Sequence, residues 1–181
     1  TANPGLRALI RECGLEGRKI SSYHIGFVIG PCINASGRLD TAKRALALLL
    51  EEDEVKAAAL AAELKELNDE RKDMTARGVE QAVEMIENGP LKEDKVLVVY
   101  LPACHESLAG IIAGRVRERY SRPAIVLTDS AEGIKGSGRS IEAYNMFQEL
   151  CACSELFTKF GGHPMAAGMS LERGMAETLR K

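Results

Sequence analysis

From Glu54 to about Glu87 the chain holds no proline and a single glycine, Gly78. Alanine, leucine, glutamate, lysine and arginine dominate this stretch, and these are the residues that lose least on entering a helix. Asp53 precedes it as an N-cap, and Asn88-Gly89-Pro90 follows as a stop. Val55, Ala59, Ala62, Leu67, Met74, Val79, Val83 and Ile86 draw a narrow apolar stripe opposite a charged face. One helix of ~34 residues would run ~50 Å at 1.5 Å per residue. That is longer than a small domain is wide, so the helix is expected to bridge two lobes. The chain is therefore divided into residues 1–52, a connector at 53–89, and a domain at 90–181. A length of 181 residues allows one domain or one and a half.

The first 52 residues read as short helices. Residues 4–13 form one, with Pro4 near its start and Gly14 as its stop. Ser21 or Ser22 caps a second, which Gly30-Pro31 is expected to end near Ile29. Residues 32–38 are expected to be a loop, and Asp40 to cap a helix over residues 41–51. After Pro90 the texture changes. KVLVVYL (95–101) and PAIVLT (123–128) are apolar runs typical of buried strands, and residues 107–120 between them have helical spacing. Strand, helix, strand over ~35 residues is a βαβ unit with parallel strands. Residues 134–140 are a glycine-broken strand and 145–153 a helix. Gly161-Gly162-His163-Pro164 is expected to open a short helix, 168–171 to add a strand, and 172–181 to begin a closing helix. The expected class is α/β: a mixed, partly parallel sheet flanked by helices, preceded by a long connector helix and a small helical segment. The start at Thr1 without Met and the stop inside a predicted helix suggest a piece of a longer protein.

A net charge of −2 argues against a nucleic-acid binder until it is resolved along the chain. Residues 51–95 carry 14 acidic and 7 basic side chains, so the remainder carries a net of +5. Charges act within a Debye length of ~8 Å, so a basic surface elsewhere is not cancelled by the acidic helix. The five cysteines (13, 32, 104, 151, 153) are odd in number and lack paired CxxC spacing, which suits a reducing, cytoplasmic compartment. Cys151, Cys153 and a histidine make a poor zinc set for the same reason. No segment has the ~20 apolar residues of a membrane span.

Three motifs carry more chemistry than a fold requires. In Lys135-Gly136-Ser137-Gly138-Arg139-Ser140 the glycines could form an anion-binding nest, with Ser137, Arg139 and Ser140 as phosphate donors; the alternative is a bulged edge strand. In Gly161-Gly162-His163-Pro164 the imidazole would sit at a helix N-terminus, suited to an anion or to auxiliary acid–base work; the alternative is a plain glycine turn. Asn34-Ala35-Ser36-Gly37-Arg38-Leu39-Asp40 gathers Asn, Ser, Gly and Arg before a helix, or is simply a capped helix start with Arg38 solvated. His105 follows the first predicted strand, where ligands of α/β folds gather, whereas His24 lies in an apolar turn and reads as structural. Asp-x-Asp, paired histidines, HExxH, a P-loop and G-x-S-x-G are all absent. The residues describe a phosphate- or nucleotide-binding module without its own reaction centre and without a metal site.

These motifs occur together in one family. IGFVIGPCINASGRLD (25–40), ELNDERK (66–72), CHESLAGIIAGRVRERYSRPAIVL (104–127), KGSGRSIEAYNM (135–146) and KFGGHPMAAGMSL (159–171) resemble, in order, the RecJ family of the DHH phosphoesterase superfamily. The resemblance implies a single-strand-specific 5′→3′ DNA exonuclease of recombination and repair that uses Mn²⁺ or Mg²⁺. It implies that residues 1–52 end the DHH catalytic domain, that 53–89 connect, and that 90–181 are the DHH-associated substrate-binding domain. The metal ligands would then lie in a catalytic lobe preceding Thr1, in cis, and single-stranded DNA would be the partner. Gly136, Ser137, Gly138, Arg139 and Ser140, Gly161, Gly162 and His163, Asn34 and Arg38, and His105 match the family's binding motifs. Cys104 stands where family members commonly have Trp. Two other expectations are weighed: a phosphodiesterase of short oligonucleotides or cyclic dinucleotides, and a non-catalytic module like the tail domain of alanyl-tRNA synthetases.

Overall fold

A computed structural model describes residues 1–180 of the chain. It divides into two units, Thr1–Asp73 and Met74–Lys181, so the division falls inside the long helix. In the first unit, the Asn3 side chain accepts the Leu6 N–H at 2.8 Å and starts α1 (Pro4–Glu12), with Pro4 in the first turn where its missing N–H costs nothing. Next come α2 (Ser22–His24), a π-helical turn at Ile25–Ile29, and α3 (Gly30–Leu39). The expected stop at Gly30-Pro31 and the expected loop at residues 32–38 are thus both corrected to helix. The reason lies in the wide turn. Pro31 can neither donate to nor crowd against the carbonyl four residues back, and the Gly30 N–H reaches instead to the Ile25 carbonyl, five residues back. A side chain at Gly30 would put its Cβ 2.7 Å from that carbonyl oxygen. The helix therefore passes the proline by widening rather than ending.

Asp40 is also corrected. It closes α3 and pairs with Arg44, while α4 (Lys43–Leu50) starts from Ala42 without a side-chain cap. Leu9, Ile29, Cys32, Leu48, Ala57, Ala61 and Leu64 form the core of this unit. The long helix α5 (Glu54–Glu87) has the predicted bounds. The Asp53 carboxylate accepts the N–H groups of Lys56 and Val55, each at 2.9 Å, and the first of these most strongly holds its pKa below the ordinary value. A folded pKa below the unfolded one gives stability that is present above about pH 4 and lost as pH falls through the folded value. Asp53→Ala is expected to lower the thermal midpoint. Asp53→Asn keeps the cap and loses only this acid-sensitive part. A wild-type advantage over Asp53→Asn that stayed constant from pH 6 to below about pH 3 would refute the charged cap.

The second unit is built on a five-stranded sheet in the order β1-β2-β3-β5-β4, with β1 (Leu97–Tyr100), β2 (Ala124–Ser130), β3 (Gly133–Arg139), β4 (Lys159–His163) and β5 (Ala166–Leu171). β1 and β2 are parallel, joined through α6 (Ala109–Tyr120); the other pairs are antiparallel. The expected mixed, partly parallel sheet is present. On one face, Leu97, Val99, Ala124 and Val126 pack under α6 and the end of α5. Gly78 permits this approach: a Cβ there would lie 2.5 Å from Ile112 Cδ1. On the other face, Ile125, Leu127, Ile134, Ala167, Met169 and Leu171 pack with Met146 and Leu150 of α7 (Met146–Ala152) and Ala176 of α8 (Ala176–Arg180).

Two motif expectations change here. Residues 133–139 form an unbroken interior strand, not a nest and not an edge. Gly161, Gly162 and His163 belong to β4, and Pro164 begins the turn into β5 rather than a helix. Ala167, Met169 and Leu171 alternate onto the core against which Phe160 of β4 packs, and a period of two suits a hairpin.

Candidate functional site

Side chains of a strand alternate between faces, and this splits the glycine-rich segment into two sets. Gly136 and Gly138 face the α7 side. A Cβ at Gly136 would lie 2.5 Å from Leu127 Cδ2, and one at Gly138 would lie 2.2 Å from Met146 Sδ. These glycines make room for the core. Lys135, Ser137 and Arg139 face the opposite way, toward α6. Ser140 lies beyond the strand. It is buried, and its hydroxyl donates to the Tyr144 carbonyl at 2.6 Å, so it is not a free phosphate donor.

The register carries the α6-side face across the sheet. Arg139 pairs with Ala166 and His163 with Ala166; Ser137 pairs with Gly168 and Gly161 with Gly168; Lys135 pairs with Ser170 and Lys159 with Ser170. α6 covers β2 and reaches β3, where Gly110 and Gly114 lie against Arg139, but Gly161, His163, Lys159 and Gly168 are exposed. The result is an open shelf over β3, β5 and β4. Its centre is bare backbone at Gly168 and Gly161. A Cβ at either would meet nothing within 4 Å, so the fold itself does not demand glycine there. Ser137 flanks that floor on β3, Arg139 and His163 stand at one end of it, and Lys135 and Lys159 at the other.

The charges are ordered locally. Arg139 Nη1 donates to the Gly138 carbonyl at 2.8 Å. His163 Nδ1 accepts the Met165 N–H at 3.3 Å, which places the ring proton of the neutral imidazole on Nε2, a donor for an incoming anion. Lys135 is tied to Glu106 at 2.8 Å, which raises its pKa. His105 precedes α6, and its Nδ1 lies 2.8 Å from the Ser107 hydroxyl. A flat, cationic, hydrogen-bonding surface with a glycine floor suits an extended anionic chain laid close to the backbone.

Asn34 and Arg38 lie in the first unit. Because α3 is a helix, they stand four residues apart on one exposed face. Arg71 of α5 belongs to the same unit. It donates to Asn68 Oδ1 at 3.1–3.2 Å, and burial, reinforced by the charge of Arg38, pulls its pKa down. Asn68 is 2% exposed. Arg71 and Gly168 were not singled out from the sequence. The polar Asn68 among the buried positions of the helix points to the first, and the alternation of residues 166–171 to the second. Among the described residues, no three His, Cys, Asp or Glu side chains come together to hold a metal ion, and no helix is long and apolar enough to cross a membrane.

Comparison with known proteins gives this arrangement a context. Residues 93–181 match the DHHA1 domain. The single-stranded-DNA-specific exonuclease RecJ of Bacillus subtilis is 40% identical over 178 residues, covering 97% of this chain and 22% of that protein. The Escherichia coli protein of the same name is 38% identical over 177 residues, covering 93% of this chain and 31% of that protein. RecJ from Thermus thermophilus, solved in complex with Mg²⁺, superposes with a TM-score of 0.84 at 30% identity, covering 97% of this chain and 27% of that one. Its complex with Mn²⁺ gives 0.83. The chain thus spans about a fifth to a third of the length of these proteins.

Proposed function

With a DHHA1 domain at residues 93–181 and a RecJ-like sequence along nearly all of its length, the chain belongs to the RecJ family, and we propose that it is the substrate-holding part of a 5′→3′ single-strand-specific DNA exonuclease. In this reading residues 1–52 end the DHH catalytic domain, 53–89 connect, and 90–181 grip the strand, in a cytoplasmic enzyme of recombination and repair. The observation that carries it is the open shelf. Glycines that the fold does not need lie beside Ser137, between Arg139 and His163 at one end and Lys135 and Lys159 at the other, and that layout suits a phosphate backbone.

The chemistry divides accordingly. The Mg²⁺ or Mn²⁺ of the solved relatives has no matching group of side chains among the described residues, so the ion would be held by the catalytic lobe in cis. It would supply the activated water and stabilise developing charge. This chain would bind and orient. Ser137 Oγ and the Arg139 guanidinium donate to a phosphate, His163 Nε2 donates to the same or the next one, and the Gly161–Gly168 floor lets the strand lie flat.

Binding of a 5′-phosphorylated single-stranded oligonucleotide to the 181-residue chain is expected to fall steeply with salt. Each phosphate neutralised contributes a slope of about −0.7 in log K against log [salt] for single strands. Two or three contacts therefore give about −1.4 to −2. Binding that ignores salt would sink the proposal.

A further inference from the structure

Between the second half of α5 and the loop after β1 lies a cavity of about 160 Å³. Met74, Ala103, Leu108 and the backbone of Gly78 give it an apolar floor. Its polar rim is Arg77, Gln81 and His105. Arg77 and Gln81 are one helical turn apart on the same face, both exposed. Among the described residues, neither side chain takes part in a hydrogen bond or ion pair. His105 is different. Its Nδ1 is held by the hydroxyl and the N–H of Ser107, at 2.8 and 3.3 Å, so its ring is oriented and its Nε2 is left for a ligand. Cys104 completes the wall, its thiol donating to the His105 carbonyl at 3.5 Å.

We propose that this cavity takes one unstacked nucleobase of the single strand whose phosphates lie on the shelf. The proposal rests on the nucleic-acid reading above. Three features choose a base over a second phosphate. The floor is apolar, whereas a phosphate site would offer backbone N–H groups. The imidazole and the guanidinium are planar groups on which a base stacks, and Gln81 offers a donor and an acceptor to its edge. The volume is below the ~300–1,000 Å³ of a site for drug-sized molecules, and it suits one planar ring system. Position agrees as well. Glu106, next to His105, pairs with Lys135 of β3, and Gly110 touches Arg139 of the same strand. The first turn of α6 therefore separates the base cavity from the phosphate shelf by a few residues.

The test is anisotropy of the 181-residue chain with 5′-phosphorylated octanucleotides, each carrying one abasic site, moved along the strand. One position is expected to weaken binding about 5- to 100-fold, the range for a single stacked base. Gln81→Leu and Arg77→Ala, both surface changes, are expected to weaken binding of the intact strand and to have no further effect on the strand abasic at that position. Equal losses on intact and abasic strands would overturn the cavity, as would binding indifferent to every abasic site. If Arg139→Ala still weakens binding in that case, the nucleic-acid reading survives without the cavity. Absence of binding to any strand overturns both.

Discussion

Gly162→Ala is expected to destabilise the chain strongly, whereas Gly161→Ala, one residue away, should leave the thermal midpoint in place. A Cβ on Gly162 would lie 2.3 Å from the Ala166 carbonyl oxygen and 2.7 Å from Ala167 Cα, both backbone atoms of the paired strand. Neither can swing aside as a side chain would, so β4 must move off β5. Overpacking of this kind costs about 1–3 kcal/mol or more. In a chain of 150–250 residues each kcal/mol shifts the midpoint by about 2–4 °C, so a fall of about 2–12 °C is expected. Gly161 has open space where its Cβ would stand, and its φ is not in the left-handed region. Alanine there is unstrained, and the lower entropy of the unfolded chain even favours it slightly. Its methyl group would, however, project from the floor of the shelf and hold a strand away. Gly161→Ala should therefore weaken oligonucleotide binding at an unchanged midpoint. Thermal unfolding of both variants decides the matter: equal midpoints would mean that the two glycines share one role.

That pair also shows what a sequence conveys and what it hides. The long helix, its cap at Asp53 and its stop at Asn88-Gly89-Pro90 depend on local rules, and they were legible to the residue. So was the βαβ unit, because two apolar runs around a helical pattern leave few alternatives. Pro31 misled, since the local rule that proline ends a helix does not say that a π-turn can absorb it. The glycines misled for a different reason. A glycine can serve a turn, a close approach in the core, or a ligand, and only the pairing of β3 with β5 and β4 assigns Gly136 and Gly138 to the core and Gly161 to the open face. Ser140 is similar: its residue type suits a phosphate, but its hydroxyl holds the Tyr144 carbonyl.

Arg139→Ala is expected to weaken binding of a 5′-phosphorylated single strand about 10–100-fold, the effect of losing ~1.5–3 kcal/mol of hydrogen bonding to a charged group, with the fold intact. The side chain is placed by its surroundings. It lies against Gly110 and Gly114 of α6, and a Cβ on Gly110 would come within 2.6 Å of Nη2. Nη1 is anchored on the Gly138 carbonyl, and the side chain shares a strand face with Ser137. Arg139→Lys should recover only part of the loss, because a single ammonium cannot reproduce a two-pronged grip on a phosphate. Gly110→Ala gives an independent check. It adds no charge and removes no donor, yet its methyl group would displace the guanidinium, so it should reproduce much of the Arg139→Ala defect. If the proposed function holds, a full-length protein that carries this chain should lose kcat/KM on single-stranded DNA by comparable factors with the same two substitutions. Wild-type binding by Arg139→Ala would remove the phosphate from the shelf. A Gly110→Ala variant with full affinity would instead mean that Arg139 reaches its phosphate without the guidance of α6.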